Sequence, residues 1–317
     1  MNKIAIKGAG VSGLWLSKCI KEHNKNIYID IFEKNNKIGG RFQKENNFLL
    51  GAEIIHGEKS PFYNYVKKFN YDLIQLNDPI IISKSKYNNK LIDCHEYCMN
   101  IENYNNKIIK KEQKYWENNN GNNNYLIDNK LYDLIINDLS SYSNNIFLNN
   151  KLLNNSNYDL IINAYTPDKF IKKQYSAIKL FIEVDDLLNY WNRHDSYIYI
   201  NNTNIIELWK TEFNNKFVIF ATANRADLIN EIYKNKSLDI YVKTIFNDIF
   251  NKNINVNRIN VKYWSYGYHY PSNINKINFK ENNFSCGEWI DSNNDSSING
   301  AINTANKLFN KLKFNCF

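Results

Sequence analysis

"IAIKGAGVSGLWLSKCI", residues 4–20, decides the fold. A short apolar run meets Gly8-x-Gly10-x-x-Gly13, and an amphipathic stretch follows at once. That order reads as strand, tight turn and helix. Each glycine has its own task. Gly8 permits the turn, Gly10 lets the backbone approach a pyrophosphate, and Gly13 lets the helix pack close to the strand. The helix N-terminus then offers free N–H groups and the positive end of a dipole to phosphate. Context strengthens the motif. "IYIDIFE" (27–33) reads as a second strand and ends in Glu33, 20 residues beyond Gly13, where an acid accepts hydrogen bonds from an adenosine ribose. Lys3 and Lys7 depart from the pattern, because a strand buried on both faces is normally apolar. Lys7 abuts the first glycine and either snorkels to the sheet end or reaches a phosphate.

The rest of the chain bounds the answer. Its 317 residues exceed what one small core organises, and 43 % hydrophobic and 15 % aromatic content suffices for two interdigitated domains. No run approaches the roughly 20 apolar residues of a membrane span. The N-terminus enters a strand directly, so a cytoplasmic protein without a membrane segment is expected. Five scattered cysteines, an odd number, argue against a disulfide framework. Cys94-His95-x-x-Cys98 lacks a second ligand pair, and no metal is expected. The net charge of +8 comes from lysines spread along the chain. Without a basic block, an AT-rich coding sequence explains the Lys, Asn and Ile abundance better than a nucleic-acid partner does.

Periodicity predicts strands over 2–7 and 27–33, helices over 11–24 and 60–75, and a helix over 125–139. "NIFLNN" and "YDLIINA" read as short strands. Further strands are expected over 176–184, 217–221 and 261–270, and helices over 236–252 and 298–312. Residues 80–125 are irregular and end in an Asn-rich loop. The order suggests an α/β fold in which a Rossmann-like βαβ dinucleotide domain (1–75, 126–170 and 258–317) is interleaved with a smaller α+β substrate domain (76–125 and 171–257).

After Glu33 the chain continues "KNNKIGGRF" and then "LLGAEIIHG". Here it resembles the flavin-containing amine oxidase superfamily, which includes monoamine and polyamine oxidases and the more compact renalase-type enzymes. The resemblance implies FAD, held non-covalently, since no residue suits a covalent flavin link. It implies that Gly39 and Gly40 pack against the pyrophosphate and that Arg41 contacts it. The physical sense holds independently: two glycines bring the backbone close, and a guanidinium suits a pair of phosphate oxygens. Gly51 and Ala52 fall in the segment that runs under the flavin ring in the family.

"FSCGEWIDSNNDSSINGAINTANKLFNKL" (284–312) resembles the closing motif of the same superfamily. Gly287 and Glu288 would meet the ribityl–phosphate part of FAD. Ile298, Gly300 and Ala301 would open a helix at the flavin pyrimidine edge, where the dipole favours the negative charge of a reduced flavin. The helix reads well on its own terms. Ile298, Ala301, Ile302, Ala305, Leu308, Phe309 and Leu312 share one face, and Ser296 or Ser297 can cap it. Cys286 stands where a small residue is usual.

The resemblance implies a catalytic role for Lys179 in "SAIKLFIEV": a lysine on such a strand holds a water against flavin N5 in the amine oxidases. The plainer reading is a solvated lysine paired with Glu183. Trp264 and Tyr266, in "KYWSYGYHYP", would wall a substrate pocket or pack two domains together. His56 would approach the flavin or serve as a hydrogen-bonded structural histidine. An FAD-dependent oxidoreductase is expected, with an amine as substrate and O2 as acceptor. A renalase-like enzyme that oxidises a nicotinamide nucleotide is the second reading, and a binding protein without turnover the third.

Overall fold

The computed structural model describes residues 3–45, 47–83, 121–152, 157–165, 174–185, 191–201, 204–269, 284–287, 290 and 297–316. The chain opens with β1 (Lys3–Lys7), α1 (Val11–His23) and β2 (Tyr28–Phe32). Two-residue strands β3 (Lys44–Glu45) and β4 (Phe48–Leu49) follow, then β5 (Ile54–His56), α2 (Pro61–Val66), β6 (Ile74–Leu76) and β7 (Ile80–Ser83). Next come β8 (Asn124–Leu126), α3 (Asn129–Ser140), β9 (Asn145–Phe147) and β10 (Leu160–Asn163). The middle of the chain supplies β11 (Gln174–Val184), β12 (Ser196–Asn201), β13 (Asn204–Lys210), β14 (Lys216–Thr222), α4 (Ala223–Lys234) and α5 (Leu238–Phe250). β15 (Val256–His269), β16 (Phe284–Ser285) and α6 (Ile298–Cys316) close it.

The first sheet is built on β1, with β2 on one side of it and β10 on the other. The sheet runs β16-β10-β1-β2-β9, and every described pairing in it is parallel. α1 and α6 lie together against it. Trp15 Nε1 donates to Asn306 Oδ1 at 2.8 Å, and Ile302, Ala305, Leu308 and Leu312 bury in the same core as Leu14 and Leu16. The two ends of the sequence therefore build one layer. Lys3, which interrupts β1, points its ammonium to the Tyr158 ring (4.8 Å) and toward Asp30 (4.0 Å). Lys7 lies half-buried, and its carbonyl accepts the Ala164 N–H at 2.7 Å. No helix among the described residues is long and apolar enough to cross a membrane.

The second sheet runs β15-β11-β14-β13-β12-β7. Period-two alternation along β11 sends Ile178, Leu180, Ile182 and Val184 into a core with α4 and α5 residues Ala226, Ile229, Val242 and Phe246. The opposite face carries Phe181, Trp209 and Val218 against Phe48, Leu50, Leu76 and Leu126. That packing joins the second sheet to the 48–50 stretch and to the small sheet β5-β8-β6.

Several boundaries differ from expectation. The 60–75 helix stops at Val66, continues as one 3₁₀ turn, and ends where Asn70 turns left-handed (φ 49°). Residues 124–126 are strand. The helix starts only after Asp128, whose side chain caps the Leu131 N–H at 2.8 Å. α4, β12 and β13 come from a stretch with no readable period. β15 pairs with β11 along its length, so residues 258–269 belong to the second sheet rather than to the returning cofactor domain.

Replacing Leu308, which is 2 % exposed, with alanine should cost about 2–5 kcal/mol through lost burial and a cavity. Lys307→Ala, on the exposed side of the same helix, should change stability by no more than about 0.5 kcal/mol. Urea unfolding of both variants checks this, and equal midpoints would contradict the placement of α6.

Candidate functional site

The glycines of the first turn separate by what a side chain would meet. At Gly8 (φ +108°) a Cβ would stand 2.6 Å from the Ala164 carbonyl oxygen. At Gly13 it would fall 2.1 Å from the Gly8 carbonyl oxygen. The protein itself needs glycine at both positions. Gly10 is different. It has an ordinary extended backbone (φ −73°, ψ 174°) as the N-cap of α1, and its nearest would-be neighbour is the Gly40 Cα at 3.9 Å. Nothing among the described residues forbids an alanine there.

Gly40 faces Gly10. Its φ of +65° favours glycine, and a Cβ on it would stand 3.1 Å from the Gly10 Cα. The two turns are tied directly, since the Gly39 N–H donates to the Ala9 carbonyl at 2.7 Å. Glu33, just past β2, braces the first turn. One carboxylate oxygen accepts the Ala9 N–H at 2.9 Å, and the other accepts the Asn35 N–H at 2.9 Å and its Nδ2 at 2.8 Å. The carboxylate is 5 % exposed at residue level, so these bonds replace water that burial removed. Arg41 follows, with burial pulling its guanidinium down to about 10.

The 49–53 segment runs along the 41–43 stretch. Ala52 N–H donates to the Arg41 carbonyl at 3.1 Å and Leu50 N–H to the Gln43 carbonyl at 2.7 Å. Gly51 lies so close to the Arg41 carbonyl that a Cβ would overlap it at 1.2 Å. β5 then delivers His56, whose Nδ1 lies 3.0 Å from Asn124 Oδ1 and whose carbonyl accepts Asn299 Nδ2 at 3.3 Å. The first turn of α6 is thereby fastened to β5.

At that turn Ser297 Oγ accepts the Gly300 N–H at 2.9 Å, and Thr304 Oγ1 accepts the Gly287 N–H at 3.0 Å. Gly287, Gly300 and Ala301 are thus brought together around Thr304, with Ile298 packed on the adjoining core. Asn299, 3 % exposed, keeps its Oδ1 without a hydrogen-bond partner among the described residues. A buried polar atom in that state is costly, and a donor on a bound group would relieve it. Glu288 and the Tyr266 side chain lie outside the described residues. Trp264 packs beside the cluster of Phe181, Trp209 and Val218.

Lys179 is 2 % exposed and pairs with neither solvent nor Glu183. Glu183 is instead 3.6 Å from Lys216. The Lys179 ammonium donates to the Leu49 carbonyl at 2.8 Å, the Gly51 carbonyl at 3.0 Å and Glu53 Oε2 at 2.5 Å. Burial lowers its pKa, and Glu53 opposes that shift. Glu53 and Asn299 are the site residues that sequence reasoning passed over. The charge of Glu53 inside the apolar run "GAEIIHG" was a usable signal. Glu207 was missed too: register puts it two strands from Lys179 on the same face, and burial raises its carboxyl pKa against the nearby Arg225. Among the described residues no group of His, Cys, Asp and Glu side chains is arranged to hold a metal.

No protein-family model matches the sequence, and no curated protein matches it. Solved structures do share the fold. The crystal structure of "Putative protoporphyrinogen oxidase from Exiguobacterium sp. 255-15" superposes with a TM-score of 0.70, over 99 % of this chain and 99 % of that one, at 10 % identity. The architecture is common to the two chains even though almost none of the sequence is.

Gly10→Ala separates fold from site. The free protein should keep its unfolding midpoint, because the backbone and the space both accept a methyl group. Binding of FAD should weaken at least about tenfold, the effect of about 1.4 kcal/mol, because the methyl would stand where a pyrophosphate has to approach the turn. Equal FAD affinity in wild type and variant, by fluorescence titration, would remove the phosphate role from this turn.

Proposed function

We propose that the chain is an FAD-dependent oxidoreductase. The observation that carries this reading is Gly10: the polypeptide has no need of glycine there, whereas a pyrophosphate approaching the Gly8–Gly13 turn beside the Gly39–Gly40 turn does. Arg41 would meet the phosphates, and Glu33 would accept from the adenosine ribose. Gly287, Ile298, Gly300 and Ala301 would border the flavin ring, and the free Asn299 Oδ1 offers an acceptor at that edge. FAD, when bound, supplies reversible two-electron chemistry. The protein's part is to hold the ring between the 49–53 segment and α6 and to present a substrate from the side of the second sheet. Phe181, Trp209 and Trp264 make that side apolar and aromatic. The full-length likeness to a structure named as an oxidase is consistent with this reading.

Oxidation of an amine C–N bond, with O2 as acceptor, is the first reading of the substrate. A dihydronicotinamide nucleotide is the second, and one observation favours it. All three Lys179 donors are taken by protein acceptors, so the lysine that would hold a reactive water in an amine oxidase is fully engaged. A direct hydride donor needs no such water.

Anaerobic stopped-flow reduction decides between the two readings. The FAD-loaded protein is mixed first with a panel of mono- and polyamines, then with NADH and NADPH preparations that retain their minor isomers. Bleaching by an amine supports the first reading, and bleaching by a nicotinamide alone replaces it with the second. A protein that binds FAD yet is bleached by neither would count against both.

A further inference from the structure

We infer that Lys179 is a positioning residue: with Glu53 it fastens the 49–53 segment to the second sheet. It does not hold a reactant. The inference rests on the FAD reading only where it says what lies on that segment.

An ammonium has three protons to donate and no acceptor capacity. Here the three are spent on Leu49, Gly51 and Glu53, all within five residues of one another. The lysine stem crosses from β11 with the Phe181 ring centroid 5.1 Å and the Trp209 ring centroid 5.3 Å from its nitrogen. The side chains of the ion pair are 2 % and 5 % exposed. No proton remains for a water, and solvent barely reaches the pair.

On its other sides the segment's hydrogen bonds are made by backbone, with Leu49 and Leu50 packed in apolar cores. Arg41 and Gln43 accept from Ala52 and Leu50, and Ile127 N–H donates to the Glu53 carbonyl at 2.8 Å. All of those hydrogen bonds belong to the first sheet's side of the molecule. Lys179 supplies the polar tie to the second sheet, and it draws in two carbonyls that would otherwise be left short of donors in an apolar layer. Its charge is balanced by Glu53, so removing either partner strands the other in a buried site. The floor on which the flavin ring is proposed to lie thus takes its place from the sheet proposed to carry the substrate.

The test uses the full-length chain with Lys179→Met, Glu53→Leu and the double variant. Urea midpoints are measured without and with added FAD, alongside FAD affinity. Each single variant should unfold at lower urea and bind FAD at least about tenfold more weakly. The double variant should recover most of the lost stability, because no charge is stranded, while FAD binding stays weak. Additive losses in the double variant would overturn the pairing. Wild-type stability and FAD affinity in Lys179→Met, with slower flavin reduction as its sole change, would overturn the positioning role and restore the lysine to the chemistry. Should the wild-type chain bind no FAD, the proposed function fails, and the coupling seen in urea still decides whether the two residues act as one.

Discussion

Everything in this protein is arranged around two glycine turns brought within backbone contact of each other. Gly40 makes that approach possible, since a Cβ on it would stand 3.1 Å from the Gly10 Cα, and the Gly39 N–H to Ala9 carbonyl bond fixes it. Glu33 braces the first turn by bonding to Ala9 with one oxygen and to Asn35 with the other. A buried carboxylate is expensive unless backbone N–H groups receive it, so the turn and the acid require one another. Once the turns meet, the 41–43 stretch is set to receive residues 50–52.

The second sheet docks on that frame with one apolar face and one ion pair. Dispersion and burial among Phe48, Leu50, Phe181, Trp209 and Val218 supply the attraction. Non-directional packing tolerates sliding, whereas Lys179 with three acceptors does not. Buried pairs of this kind are weak sources of net stability and better suited to fixing a geometry. The C-terminal helix completes the frame by joining α1 through Trp15 and Asn306 and β5 through Asn299. Residues 243 positions apart in sequence, His56 and Asn299, end up on the same edge of the site.

The first sheet was legible because its signals are local. A glycine turn between a strand and a helix, an acid 20 residues later and an amphipathic closing helix each fit within a short window. The Gly39–Gly40–Arg41 turn was readable for the same reason. β12, β13 and α4 were not, because their pattern depends on which face the tertiary structure buries. Ser196–Asn201 puts its tyrosines on one face and its isoleucines on the other, and all four of Tyr197, Ile198, Tyr199 and Ile200 are buried. Alternation therefore carries no information there. The helix expected over 60–75 failed at Asn70, whose left-handed backbone overrides the apolar spacing. Lys179 stands out in the sequence as a charge on an apolar strand, and its partner lies 126 residues away. Sequence spacing favoured Glu183, and the fold chose Glu53.

The central claim is that the paired glycine turns hold the pyrophosphate of FAD, and direct binding tests it without any substrate. Equilibrium dialysis of the full-length chain against FAD, with riboflavin in parallel, reads the site. The account predicts one FAD bound per chain, with riboflavin binding far more weakly because it lacks the pyrophosphate and adenosine that the turns and Glu33 would hold. A chain that takes up no FAD, or that binds riboflavin as tightly as FAD, would contradict it.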